Sequence, residues 1–369
     1  MGVAQRSRRW LVPVTAVAVV AGVGALGPVV ADASPNLPGI TAQDLLTKVQ
    51  TAKVDGLSGT VSSKTDLGLP ALPGVEGGNQ ALELITGDHT ARVAFATPDK
   101  ARISVLDNMN ERVWTTDGKS AWAYDSSNHQ AVKLTVPAHS AQPEKARPQG
   151  YDPQAVAKQV LAAIDPTTKV EVSGTVEVAG RDAYKLRLVP KTDKTTVGSV
   201  TLAVDAKTWV PLQVTVMPRT GNDPAIQVGF SAVSFDVPAA STFTFTPPKG
   251  VTVKEEKAPK GREIPKNVTP PKGITPKLPP AKPGTTKGDG PTTIGQGWET
   301  VAMLRGAKPA GNGPLDQLLA NAPSVQGSWG KGKILTSKMV SALITDDGRV
   351  FVGLVTPATL QSAAAKAPR

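Results

Sequence analysis

The sequence predicts an α+β fold in which a large antiparallel sheet carries helices against one side. Three observations predict it. Short β-branched segments separated by turn residues recur from residue 57 to residue 246. Only two stretches of residues 34–246 have helical spacing. A Pro/Lys-rich stretch then precedes a smaller segment in which strand and helix patterns return.

In order, Thr41-Ala-Gln-Asp44 resembles a capping box, and Leu45, Val49 and Ala52 follow at helical spacing, so the pattern predicts a helix over 42–53. Strand patterns follow near 57–65, 81–86, 90–97, 101–106, 111–116, 120–124 and 131–136. Asp107-Asn108, Asp117-Gly118 and Asp125–Asn128 supply the turns of a meander. Asp152-Pro153 opens a second helix with Val156, Val160, Ala163 and Ile164 on its apolar face, and Asp165-Pro166 stops it. Strands resume near 169–178, 183–189, 197–204, 210–216 and 226–235, with a short run at 243–246. Residues 247–291 hold 11 prolines and nine lysines and read as an extended linker. Beyond it, 292–369 reads as a small α+β segment. It has a strand at 298–305, a helix at 314–322, a hairpin of 333–344 with 349–355 around Asp346-Asp347-Gly348, and a final helix capped by Thr356-Pro357. This segment either folds alone or adds strands to the main sheet.

The first 33 residues read as an export signal or an uncleaved anchor. Arg6, Arg8 and Arg9 precede an apolar run from Trp10 to Ala31, and Ala31-Asp32-Ala33 gives a cleavage site before Ser34. Ser7-Arg8-Arg9-Trp10-Leu11-Val12 has a weak twin-arginine look. The bulk of the chain is therefore expected outside the cytoplasm, at the extracellular face of the membrane or in the envelope. The composition has a high-GC Gram-positive style. Residues 34–246 form the main domain.

Composition excludes several classes of function. The 369 residues contain no cysteine, which removes disulfides, thiol catalysis, zinc–cysteine sites and iron–sulfur clusters. His89, His129 and His139 are widely spaced beside turn residues, so no metal site is expected. The net charge is +11, but residues 34–246 come to −1 and the linker to +6. A nucleic-acid partner is not expected, because the excess lies outside the folded face. The linker charge serves solvation, or loose attraction to anionic lipids and envelope polymers. Gly327-Ser-Trp-Gly-Lys-Gly332-Lys333-Ile334 nearly writes a phosphate-binding loop, but Ile334 stands where Ser or Thr should be. With no nucleophile elbow and no metal-ligand spacing, neither an enzyme nor a cofactor is expected.

What remains is an apolar wall. Trp122 and Tyr124 point to one face of a strand, and Trp114 lies on the strand before. Phe95, Ile103 and Val105 are placed to share that face. Two readings stay open, an ordinary packed core and the wall of a cavity for an apolar ligand.

Five motifs resemble the LolA-like lipoprotein carriers and the related MucB/RseB domains. Phe95-Ala-Thr-Pro98-Asp-Lys-Ala-Arg102 resembles their P-x-x-x-R strand, and Asp117-Gly118-Lys-Ser-Ala-Trp122-Ala-Tyr124-Asp125 their DG-x-x-x-W-x-Y-D hairpin. Tyr184-Lys-Leu186-Arg-Leu188 and Leu202-Ala-Val204-Asp205 resemble later strands, and Phe243-Thr-Phe245-Thr-Pro247-Pro248-Lys-Gly250-Val251 the closing segment. The match runs over about residues 40–253. The resemblance implies an unclosed half-barrel, helices over its concave side, and binding of lipid or lipoprotein acyl chains without catalysis. The candidate cavity wall is then Trp114, Trp122, Tyr124, Phe95 and Val105. It also implies an alternative, an envelope-stress regulator that binds a membrane anti-sigma factor; for a carrier, the membrane partner would be an exporter. A third reading is a structural envelope protein whose core is filled by its own side chains. Residues 292–369 lie outside the carrier pattern.

Overall fold

The structure is a computed structural model that describes residues 35–68, 87–107, 110–135, 167–257, 292–305 and 319–367. The expected signal, the strand at 81–86, the helix at 153–164, His139 and most of the linker lie outside the described residues, as does most of the helix at 314–322.

Helix α1 (Ala42–Thr51) starts at the expected cap. The Thr41 Oγ1 accepts from the Asp44 amide at 3.1 Å and donates to the Asp44 carboxylate at 2.7 Å. Its Leu45 and Val49 are buried against Tyr184, Leu186 and Leu202. Strands β1 (Gly56–Thr65), β2 (Gly87–Ala96), β3 (Lys100–Asp107), β4 (Asn110–Asp117), β5 (Ser120–Asp125) and β6 (Gln130–Thr135) form one meander. A second comprises β7 (Thr168–Val178), β8 (Arg181–Pro190), β9 (Val197–Asp205), β10 (Pro211–Pro218) and β11 (Ile226–Ser234). They join through a β1–β11 pair, and with β12 (Thr252–Lys257) they make a 12-stranded sheet in the order β12-β6-β5-β4-β3-β2-β1-β11-β10-β9-β8-β7. Every pairing is antiparallel except β6–β12. The sheet is not closed; β7 and β12 are its edges, as an unclosed half-barrel requires.

Three expectations about this sheet change. The run 243–246 is not a strand: a 3-10 turn at Ala240–Phe243 leads into an extended strap. Pro238, Pro247 and Pro248 bracket it and cannot donate to a ladder. The sheet also continues to Lys257, past the expected boundary at 246. Its last strand is mostly polar and lies on an edge, so it lacks the apolar alternation that marks inner strands. Finally, His89 is no turn residue; it sits inside β2 and is buried.

The C-terminal residues build their own sheet from β13 (Thr292–Ile294), β14 (Val301–Arg305), β15 (Ser324–Gly327), β16 (Gly330–Thr336), β17 (Ser341–Thr345) and β18 (Arg349–Gly353). The order is β13-β14-β18-β17-β16-β15. Helix α2 (Pro357–Lys366), capped by Thr356, covers it with Leu360, Ala363 and Ala364 against Leu343 and Phe351. The expected strand 298–305 is shortened by a 3-10 turn at Gly297–Glu299. The expected strand 333–344 is two strands, because Ser337 ties a turn by accepting from Val340 N at 3.0 Å. That turn places Met339, fully buried, in the core of the larger sheet. The near-phosphate loop is a hairpin turn between β15 and β16, with no helix after it.

The two sheets share an interface. Thr195 Oγ1 donates to Leu354 O and Thr196 Oγ1 to Met339 O, both at 2.6 Å. Trp298 Nε1 donates to Thr168 Oγ1 at 2.8 Å, and Lys338 pairs with Asp66 at 3.0 Å. The hydrogen bond from Lys338 holds the Asp66 carboxyl below the usual range.

Candidate functional site

In-register neighbours in a sheet share a face, so the ladders assign each predicted wall residue. One row runs Gly59–Val93–Ile103–Trp114–Ala123–Val132 across β1 to β6. The next runs Leu57–Phe95–Ala101–Thr116–Ala121–Leu134. On the other flank, Val61, Ala91 and Val105 extend the same face. The Thr116 hydroxyl and the Trp114 indole nitrogen are the only side-chain heteroatoms in the two rows. Ala91, Val105 and Ile103 are buried, whereas Val93, Phe95 and Trp114 are half-buried. Trp114 packs against Ile103 and Val105.

Trp122 and Tyr124 lie on the opposite face. Their ladder partners are Thr115 and Val113, while Trp114 pairs with Ala123. The single wall of five residues is therefore two groups: Trp114, Phe95 and Val105 on one side, and Trp122 and Tyr124 on the other. A parity count already contains this division. A two-residue hairpin loop pairs an even-numbered residue with an odd-numbered one, so Trp114 cannot share a face with Trp122 or Tyr124.

The chain itself covers part of the second face. The strap lays Phe245 against both rings, with centroids 5.5 Å from Trp122 and 5.5 Å from Tyr124. Phe243 is almost fully buried, and its carbonyl accepts from Thr115 Oγ1 at 2.9 Å. Arg102 Nη1 donates to Thr244 O at 3.2 Å. Lys133 lies 5.6 Å from the Trp122 ring centroid. At the hairpin tip, Gly118 has φ +88°, and a Cβ there would meet the Asp99 carboxylate. Burial of Asp117 opposes ionisation, but amide donors from Ser120 and Lys119 outweigh it and hold the carboxyl below its ordinary value.

Among the described residues, no group of three or more His, Asp or Glu is placed to hold a metal ion. No helix among them is long and apolar enough to cross a membrane. His129 is exposed in the β5–β6 turn at φ +52°. The residues that sequence reasoning missed are small or aliphatic ones, Val93, Ala123, Val132 and Leu134. Their signal is the alternation within each strand combined with the register between strands.

No family model and no curated protein matches the chain. Among solved structures, it is similar to the complex structure of Pseudomonas aeruginosa MucA/MucB at 16% identity, covering 88% of this chain and 96% of that one, with a TM-score of 0.40. An uncharacterized conserved protein from Thermus thermophilus aligns at 14% identity over 58% and 99% of the two chains, with a TM-score of 0.33. A LolA superfamily protein from Nitrosomonas europaea aligns at 13% identity over 56% and 99%, with a TM-score of 0.22. The names include both groups that the sequence motifs resemble. TM-scores of 0.40 and below decide neither function nor partner.

Proposed function

We propose that the chain is a non-enzymatic cell-envelope protein that holds the acyl chains of a lipid or lipoprotein against the Trp114 face of its half-barrel. The observation that carries this is the pair of apolar rows across β1 to β6. A sheet whose second face met only water would alternate apolar and polar residues. Here one face carries the strap, and the two rows on the other are apolar as well, with Leu57 and Ile103 buried and Val93, Phe95 and Trp114 half-buried. An acyl chain needs such a surface and few directional groups. Trp114, Phe95 and Val105 form the wall in this reading. Tyr124 supports it from behind as core, with the half-buried Trp122 beside it.

Native mass spectrometry of the chain from Ser34, purified without detergent, tests the proposal. A co-purifying mass that organic extraction identifies as lipid is the expected result. A bare polypeptide mass, with no uptake of added fatty acid or phospholipid, overturns it. The regulatory alternative, binding of a membrane anti-sigma factor, then takes its place.

A further inference from the structure

The C-terminal sheet has its polar strand residues on the covered side. Helix α2 lies over the face that carries Val301, Met303, Ile334, Leu343 and Phe351. Ser341, Thr345 and Arg349 of β17 and β18 stand on that same face and are buried. Each is held there by a bond. Ser341 Oγ donates to Val355 O at 2.7 Å, Thr345 Oγ1 to Arg349 O at 2.9 Å, and Arg349 Nη2 to Trp329 O at 2.9 Å.

The opposite face is apolar. Ladder register gives it one row of Leu304–Val350–Ile344–Lys333 and a second of Ala302–Val352–Ala342–Leu335. Leu304 is 43% exposed, and the other seven are half-buried. Among the described residues, none of these side chains joins a hydrophobic cluster with α2 or with the larger sheet. The larger sheet meets this one through Leu354, Met339, Trp298 and Lys338, at strand ends and not through these rows. A face that met only water would carry polar residues at such positions.

The charge around this face has one sign in excess. Its described strand positions include Lys331 and Lys333 on β16 and no acid. Lys331 is exposed, and Lys333 donates to Leu319 O and Ala320 O at the rim. At the adjoining β17–β18 turn, Asp347 is paired with Arg349, and Asp346 is exposed. Counting that turn, three cations stand against two acids. Residues 247–369 together carry +10 of the net +11. An apolar patch on a strongly basic segment supplies the two signals that hold a protein at an anionic membrane surface, burial of side chains in the interface and attraction to its headgroups.

We infer that the outer face of the C-terminal sheet docks on an anionic lipid bilayer, with Leu304 and its row neighbours in the interface and Lys331 at the headgroups. This surface is separate from the Trp114 face and does not rest on acyl-chain binding there.

The chain has no cysteine, so a single reporter can be placed on either side of the sheet. Leu304→Cys and Ser362→Cys, the latter on the exposed side of α2, are each labelled with the environment-sensitive fluorophore NBD in the chain from Ser34. Both are mixed with vesicles of phosphatidylcholine and phosphatidylglycerol, and with vesicles of phosphatidylcholine alone. The label at position 304 should blue-shift on the anionic vesicles only, and the label at position 362 should stay as in buffer. In cosedimentation, Leu304→Asp should weaken binding to the anionic vesicles ten-fold or more, at an unchanged melting temperature. The label readout decides the matter even if that variant fails to fold. Equal responses at the two positions, or binding unchanged in a folded Leu304→Asp, would assign the attraction to the linker charge alone and overturn the inference. A shift at position 304 that grows with protein concentration without vesicles would assign the face to a second copy. A label at position 304 already blue-shifted in buffer and indifferent to vesicles would mean that the chain itself covers the face. Either result would also overturn it.

Discussion

The two faces of strands β3 to β5 carry similar residues and meet different fates. On one, Trp122 and Tyr124 are packed under Phe245, beside the buried Phe243 and a buried hydroxyl-to-carbonyl bond. On the other, Trp114 lies half-buried in apolar rows that reach from β1 to β6. An aromatic residue in a curved sheet therefore does not by itself mark a ligand wall. What distinguishes the faces is the strap, which lies on one of them; on the other, Val93 and Phe95 pack beside Leu57, Val61 and Phe230, and Trp114 beside Ile103 and Val105.

The contrast can be broken from either side. The largest effect belongs to the strap. Phe243→Ala empties a buried position and should cost about 3–5 kcal/mol in denaturant unfolding. A loss as small as that of a surface substitution would mean that the strap does not seal its face. Trp114→Ala should cost below about 2 kcal/mol, because the side chain is only half-buried, while removing lipid uptake. Thr115→Val deletes the hydroxyl that bonds Phe243 O and should cost about 1–1.5 kcal/mol, with lipid uptake unchanged. Acid should act on the hairpin tip. Asp117 has a folded-state pKa below its ordinary 3.8, so its stabilisation is present above that value and fades as pH falls through the lowered one. An Asp117→Asn variant should show a shallower loss of stability below about pH 4 than the wild type. Smallest of all is the exposed Lys133–Glu255 pair on the β12 edge, where Glu255→Ala should change stability by about 0.5 kcal/mol or less.

Much of this was legible in the sequence. β-Branched runs and Asp/Gly turns located β1 to β11 of the main sheet, and the Thr41 and Thr356 caps located α1 and α2. Motifs from Phe95 to Val251 pointed to an unclosed half-barrel. The strap and β12 were not legible, because Pro247 and Pro248 look the same whether they open a spacer or hold an extended segment against a sheet. The split at Ser337 was hidden as well, since Met339 leaves one apolar run to fill the core of the other sheet. The site was half legible. Parity within β5 put Trp122 with Tyr124, but membership of a wall depends on register between strands, where a slip of one residue reverses every side chain.

The most direct test of the contrast uses two variants, each keeping one reporter. In one, Trp114 is retained and Trp122 is replaced by Phe; in the other, Trp122 is retained and Trp114 is replaced by Phe. All other tryptophans are Phe in both. Each is titrated with 9,10-dibromostearate, whose bromines quench an indole only in contact. Strong quenching of Trp114 with little change at Trp122 is the predicted result. Quenching of Trp122 with Trp114 unaffected would contradict it and return the ligand to the face beneath the strap.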